Sequence, residues 1–162
     1  MGVAGVGKTT VGTALAEALG WRFVDADDFH SPENRARMAA GRPLDDAARA
    51  PWLAALAAAI DGWLEAGDNV VFACSALRRS YRAALRRDSE RVRLVYLRAD
   101  EPLLAARLAA RREHFMPASL LTSQLATLEE PGPEEGAIVV DAAESPTALV
   151  ARIRSALASA SG

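Results

Sequence analysis

Lysine is all but missing from this sequence: of its 19 basic residues only Lys8 is lysine, and the other 18 are arginine. A lone lysine in an arginine-rich chain marks a position where a compact ammonium is wanted and a broad planar guanidinium is not. Cysteine is nearly absent as well. The single Cys74 cannot form an internal disulfide, which excludes a disulfide-stapled secreted scaffold and fits a reducing cytoplasm. No apolar run approaches the roughly 20 residues of a membrane helix, and no basic-then-apolar signal segment is present. Charge of one sign is missing too, since 19 basic side chains meet 21 acidic ones for a net −2, so nothing marks a general nucleic-acid binder. Any affinity for phosphate must be local.

What remains is one domain's worth of chain, 162 residues, enough to bury roughly two-thirds of its unfolded surface. Thr9 to Leu19 reads as a helix closed by Gly20. "WRFVDAD" has the content of a short strand ending in acids, and Ser31-Pro32 caps and opens a helix that Gly41 stops. A long helix spans 46–66 with Pro51 near its start, and "NVVFAC" is a continuous apolar run of parallel-strand type. "RRSYRAALRR" is helical, "RLVYL" a strand, and Asp100 and Pro102 open a helix that Pro117 interrupts before another runs to about Glu129. "AIVVD" is the last strand, and Ser145-Pro146 starts the terminal helix. Strands alternating with helices predict an α/β sandwich on a parallel sheet, with ligands bound beyond the carboxyl ends of the strands.

The lone lysine stands in Gly2-Val-Ala-Gly5-Val6-Gly7-Lys8-Thr9, which fits the eight-position phosphate-binding loop and runs into Thr10 and a helix. Glycines let backbone amides converge on phosphate oxygens, the helix N-terminus adds positive potential, the lysine neutralises β/γ charge, and the Thr9 hydroxyl ligates Mg²⁺. The bland alternative is a glycine turn before a helix. In "VDADDFH", Asp25 and Asp27 alternate along a strand end, so one carboxylate can face a magnesium shell while the other meets an acceptor hydroxyl. Read blandly, the same acids cap a strand-to-helix loop. No guanine-reading "NKxD" is present.

Together "GVAGVGKTT", "DADDFHSPENRARMAAGRPLDD", "PWL", "CSALRRSYRAALR" and "REHFMPASLLTSQLATLEEP" resemble the small thermoresistant-type gluconokinases, over nearly the whole chain. The resemblance implies an ATP-dependent kinase acting with Mg²⁺ on the 6-hydroxyl of D-gluconate. It implies a single three-layer P-loop NTPase domain over 1–162, with a parallel sheet of order 2-3-1-4-5. A substrate-side helical segment would span about 30–66 and a helical lid about 107–131, in a cytoplasmic homodimer that engages neither nucleic acid nor membrane. A kinase for another small hydroxy acid or sugar such as shikimate, and a nucleotide-binding protein without turnover, are the rival readings.

Residue by residue, Lys8 and Thr9 match the loop positions for phosphate and metal. Asp27 is expected at the reacting hydroxyl, with Asp25 supporting the metal shell. His30, Arg49 and Arg82 lie in or beside substrate-side motifs, and the sugar-acid carboxylate is best met by an arginine fork, Arg49 first. His30 otherwise caps its loop. Ser75 offers a hydroxyl or its amide to the sugar, and Cys74 beside it reads as a buried apolar side chain. Arg107 and Arg111, four apart, share a helix face and would project toward the nucleotide as a cationic clamp. Arg112 reads as solvated, and His114 as either lid packing or catalytic.

Two departures carry expectations. Ala48 stands where the family usually carries an acid, which removes a carboxylate that would orient Arg49. The chain also begins on the loop itself, without the central strand that precedes it in this fold. That predicts a gap between two buried strands, and with it a native product that starts a few residues upstream of Met1.

Overall fold

A computed structural model of the protein describes residues 1–42, 44–110 and 118–159. Its strands follow the apolar runs: β1 (Arg22–Asp25) pairs in parallel with β2 (Val70–Ala73), and β3 (Val95–Arg98) with β4 (Ile138–Asp141). Between the two pairs lie only Met1 and Gly2. The Met1 amine donates to the Val95 carbonyl, Leu97 N–H donates to the Met1 carbonyl at 3.0 Å, and Gly2 N–H donates to Ser75 O at 3.2 Å. Straddling a residue of the neighbouring strand in this way is the parallel ladder pattern. The spatial order is therefore β1, β2, the chain start, β3, β4, which is the expected 2-3-1-4-5 when the central position is counted first.

Away from Met1 that central position opens into a cavity of about 520 Å³, walled by Val70 and Val71 of β2, Val95 of β3, Leu15, and Ile153.

Successive residues of β2 point to opposite faces, and each finds its own core. Val71 packs into a cluster with Val11 and Leu15 of α1 (Lys8–Leu19), Leu104 of α5 (Glu101–Ala109), Leu121 of α6 (Ala118–Thr127), and Leu149 of α7 (Pro146–Ser159). Phe72 packs into a second cluster with Trp52, Leu56 and Ile60 of α3 (Asp46–Ala66) and Leu85 of α4 (Arg79–Leu85). The sheet is sandwiched between these layers. Leu56 and Leu104 are fully buried, one in each, and truncating either to alanine costs about 2–5 kcal/mol.

The helix boundaries have local causes. Ser31 Oγ accepts from Asn34 N–H at the start of α2 (Pro32–Ala39), and Asp100 caps α5 by accepting from Leu103 N–H. Gly20 and Gly67 close α1 and α3 in left-handed conformations. Among the described residues no helix is long and apolar enough to cross a membrane.

Candidate active site

The phosphate loop is held at its base by close backbone contact. A Cβ on Gly2 would sit 2.8 Å from the Leu97 carbonyl, so only glycine lets the loop leave the sheet there. Gly7, with φ +100°, turns the chain into α1 and exposes the first amides of that helix. Val6 is 1 % exposed and keeps its side chain in the core, leaving its carbonyl to accept from Arg107 Nη1 at 3.1 Å. The other arm of Arg107 reaches Ala142 O at 2.7 Å. It therefore ties the loop to the turn after β4. Lys8 Nζ rests on Val3 O at 3.1 Å.

Thr9 Oγ1 donates to Asp25 Oδ2 at 3.1 Å, which brings the two expected metal ligands together. A hydroxyl beside a carboxylate is the hard-oxygen donor set that suits Mg²⁺. Among the described residues no group of three or more His, Cys, Asp or Glu side chains is arranged around a metal position.

The other oxygen of Asp25 accepts from Asp27 N–H and starts the 3-10 turn Ala26–Phe29 that carries Asp27. Asp27 opens to solvent on one side and packs against protein on the other. That desolvation, and then the charge of Asp25, raise its carboxyl pKa, while Lys8 and His30 pull it down. A raised carboxylate pKa at the mouth of a phosphate site is what a proton-accepting group needs.

The turn is pinned from behind. Trp52 Nε1 donates to Ala26 O at 2.8 Å, and the same indole stacks on His30 with ring centroids 4.5 Å apart. His30 is buried and its Nδ1 has no hydrogen-bond partner; burial lowers its pKa, with Asp27 acting to raise it and Arg49 to lower it. Its ring stands within the charge influence of both Asp27 and Arg49.

Arg49 is oriented, despite Ala48, by groups the motif comparison did not point to. Its Nη1 donates to Tyr81 Oη at 3.3 Å and lies 3.9 Å from Asp46 Oδ1, one helical turn earlier. Tyr81 donates in turn to Asp46, and Arg78 Nη1 meets Asp46 Oδ2 at 2.7 Å. The Tyr81 hydrogen bond is the main cause holding the Asp46 carboxyl below its usual pKa. Two guanidinium groups against one carboxylate leave a net positive cluster. The i,i+3 spacing of Asp46 and Arg49 was visible in the sequence, whereas Tyr81, 32 residues on, was not.

Arg82 does not join this cluster. It is 3 % exposed, makes a bidentate pair with Glu135 at 2.6 and 2.8 Å, and donates to the carbonyls of Ala76, Leu77 and Glu129. This harness braces the turn after β2, where Ala76 takes a positive φ of 44°, a conformation costly to a residue with a Cβ. A fully engaged guanidinium has no fork left for a substrate, so the expectation of a substrate contact from Arg82 is corrected to a structural role. Ser75 is half-buried and touches the loop base through its carbonyl. Cys74 is buried with its thiol pushed up to about 11 by desolvation, the behaviour of an apolar side chain. Arg111, Arg112 and His114 lie outside the described residues.

A glycine loop that turns into a helix N-terminus, a threonine hydroxyl paired with a carboxylate beside it and a second carboxylate on the turn that follows are the arrangement of a P-loop phosphotransferase. A family model described as an AAA domain matches residues 1–131. Gluconokinase of Gluconobacter oxydans is 49 % identical over 93 % of this chain and 84 % of its own length. A solved gluconokinase from Sinorhizobium meliloti superposes with a TM-score of 0.84 at 44 % identity, covering 94 % of this chain and 85 % of its own. A sugar kinase from a Janibacter species, solved without ligand, reaches 0.88 at 46 % identity, over 94 % and 88 %. The chain belongs to the gluconokinase family.

Proposed function

We propose that this chain transfers the γ-phosphoryl group of ATP to the 6-hydroxyl of D-gluconate, giving 6-phospho-D-gluconate and ADP. What supports the substrate class is the net positive Arg49–Arg78–Tyr81–Asp46 cluster: a sugar acid would present its carboxylate to these arginines and a hydroxyl to Asp27.

The amides of Gly5, Val6, Gly7, Lys8, Thr9 and Thr10 take the nucleotide phosphates, and Lys8 leaves Val3 O to meet the β/γ oxygens. Arg107 bounds the nucleotide from the other side, with Arg111 as its partner in the clamp. Thr9 and Asp25 would hold a Mg²⁺, which would supply charge to offset that of the phosphates. Asp27 accepts the proton of the 6-hydroxyl as its oxygen attacks the γ-phosphorus in line, and the bond to the β,γ-bridging oxygen breaks, with no covalent enzyme intermediate. Arg49 binds the gluconate carboxylate. Ser75 lines the sugar site beside the loop base, and His30 contributes its wall. The chain works as one kinase domain, in the cytoplasm and as a homodimer.

ADP release on addition of D-gluconate, compared with shikimate, tests the assignment. Turnover with gluconate and none with shikimate is expected. Turnover with shikimate instead, or nucleotide binding with no acceptor-dependent ADP, would overturn it.

A further inference from the structure

The amide of Ala4 does not face the nucleotide side of the loop. It donates to Gln124 Oε1 of α6 at 2.7 Å, across 120 residues of sequence. The carbonyl of the same peptide unit, Val3 O, accepts from Lys8 Nζ at 3.1 Å and from Val6 N–H at 3.4 Å. A planar trans peptide points its C=O and N–H in opposite directions. The Val3–Ala4 unit is therefore gripped from both sides, with Lys8 on one and Gln124 on the other.

Gln124 is itself fixed. Leu121, three residues earlier on α6, is buried in the cluster that holds Val3 and Val6, with Leu125 and Leu128 packed against it. The end of α6 is anchored where Glu129 N–H donates to Leu77 O at 2.9 Å, and the Glu129 carboxylate accepts from Arg79 N–H at 2.6 Å. Because the donor is a backbone amide, the side-chain atom facing it must be the oxygen.

We propose that Gln124 is a positioning residue for nucleotide binding: it locks the orientation of the Val3–Ala4 peptide, and so the path of the phosphate loop and the resting place of Lys8. Without an acceptor at this position the half-buried amide is unpaired and the peptide is free to rotate. Rotation turns the Val3 carbonyl away from Lys8 and Val6, so Lys8 loses its resting acceptor and the loop leaves the path that aims its amides at phosphate. The effect falls on ATP, because Asp27 sits on the turn after β1 and Arg49 on α3, and among the described residues neither shares a hydrogen bond with Gln124.

The inference rests on the kinase reading, so its test includes a binding measurement that needs no turnover. Gln124→Leu keeps the bulk and removes the acceptor; Gln124→Glu keeps the acceptor, and its added charge is screened at about 0.3 M salt. Gln124→Leu is expected to raise both the KM for Mg-ATP and the directly measured Kd for ATP about tenfold, with the gluconate KM unchanged. Gln124→Glu is expected to restore ATP affinity to within about twofold of the parent. Unchanged ATP affinity in Gln124→Leu would overturn the proposal. So would equal weakening in both variants with a matching fall in Tm, which marks packing alone. If the parent turns over no gluconate, the functional assignment fails, and the ATP Kd series still decides the role of Gln124.

Discussion

The two halves of the site are built from different materials. The nucleotide half is backbone: glycine turns, the amides at the start of α1, and a peptide unit held between Lys8 and Gln124. The acceptor half is side chain: Asp27 on a short turn propped by Trp52, and Arg49 held by a tyrosine and an aspartate from two helices. Backbone amides serve any nucleoside triphosphate, since all present the same phosphates. Recognition of one acceptor among many needs a particular arrangement of charge, which only side chains supply. Substitutions on the two sides should therefore separate cleanly in which substrate they affect.

The deepest separation is expected at Asp27. Asp27→Asn keeps the size and the turn and removes the proton acceptor, so kcat should fall about 10³-fold while the Kd for ATP stays within about twofold of the parent. Turnover close to the parent's, measured by ADP release, would remove Asp27 from the base role.

Arg82 and Arg49 give the next contrast, two arginines read alike in the sequence. Arg82→Ala strands Glu135 and frees the Ala76 turn. It should cost about 3 kcal/mol, or roughly 6–12 °C in Tm, at little change in gluconate KM once the protein is folded. Arg49→Ala should leave Tm nearly unchanged and raise the gluconate KM about thirtyfold. A reversed pattern, read by thermal melting alongside steady-state kinetics, would exchange the two roles.

That pair also marks how far the residues alone could be read. The phosphate loop was legible because its function is local: eight consecutive positions carry the turn, the charge and the metal hydroxyl. Helix ends were legible for the same reason, at Ser31, Asp100, Gly20 and Gly67, where one side chain or one left-handed glycine decides the boundary. Arg82 looked like a substrate ligand because its partners, Glu129 and Glu135, lie 47 and 53 residues away, and nothing in the spacing says that they fold back onto it. Gln124 stood inside a recognisable motif, yet its role depends on Ala4 at the far end of the chain. The removal of an acid at position 48 looked like a loss because the tyrosine that joins Asp46 in orienting Arg49 comes from α4.

Tyr81 sharpens the acceptor side further. Tyr81→Phe removes the hydroxyl that joins Arg49 to Asp46 while keeping the ring beneath both guanidinium groups, whose Cζ atoms lie 5.8 and 5.7 Å from its centroid. The gluconate KM should rise about fivefold with no change for ATP. An equal rise for both substrates would mean that the two halves are mechanically joined through α4.

The smallest effect tests the one place where the halves meet, the Asp25–Asp27 pair. Burial and the Asp25 charge hold the Asp27 carboxyl above its ordinary range. A base must be deprotonated to act, so kcat/KM for gluconate should rise with pH through this raised pKa and level off above it. Asp25→Asn removes the second of the two raising causes and leaves the first, so the acid limb should move to lower pH, part of the way back toward an ordinary carboxylate, on top of whatever activity is lost with the metal ligand. Only the midpoint bears on the argument, because the height of the profile mixes both losses. A limb that stays in place would assign the titration to another group, and one that moves to higher pH would contradict like-charge repulsion as a cause.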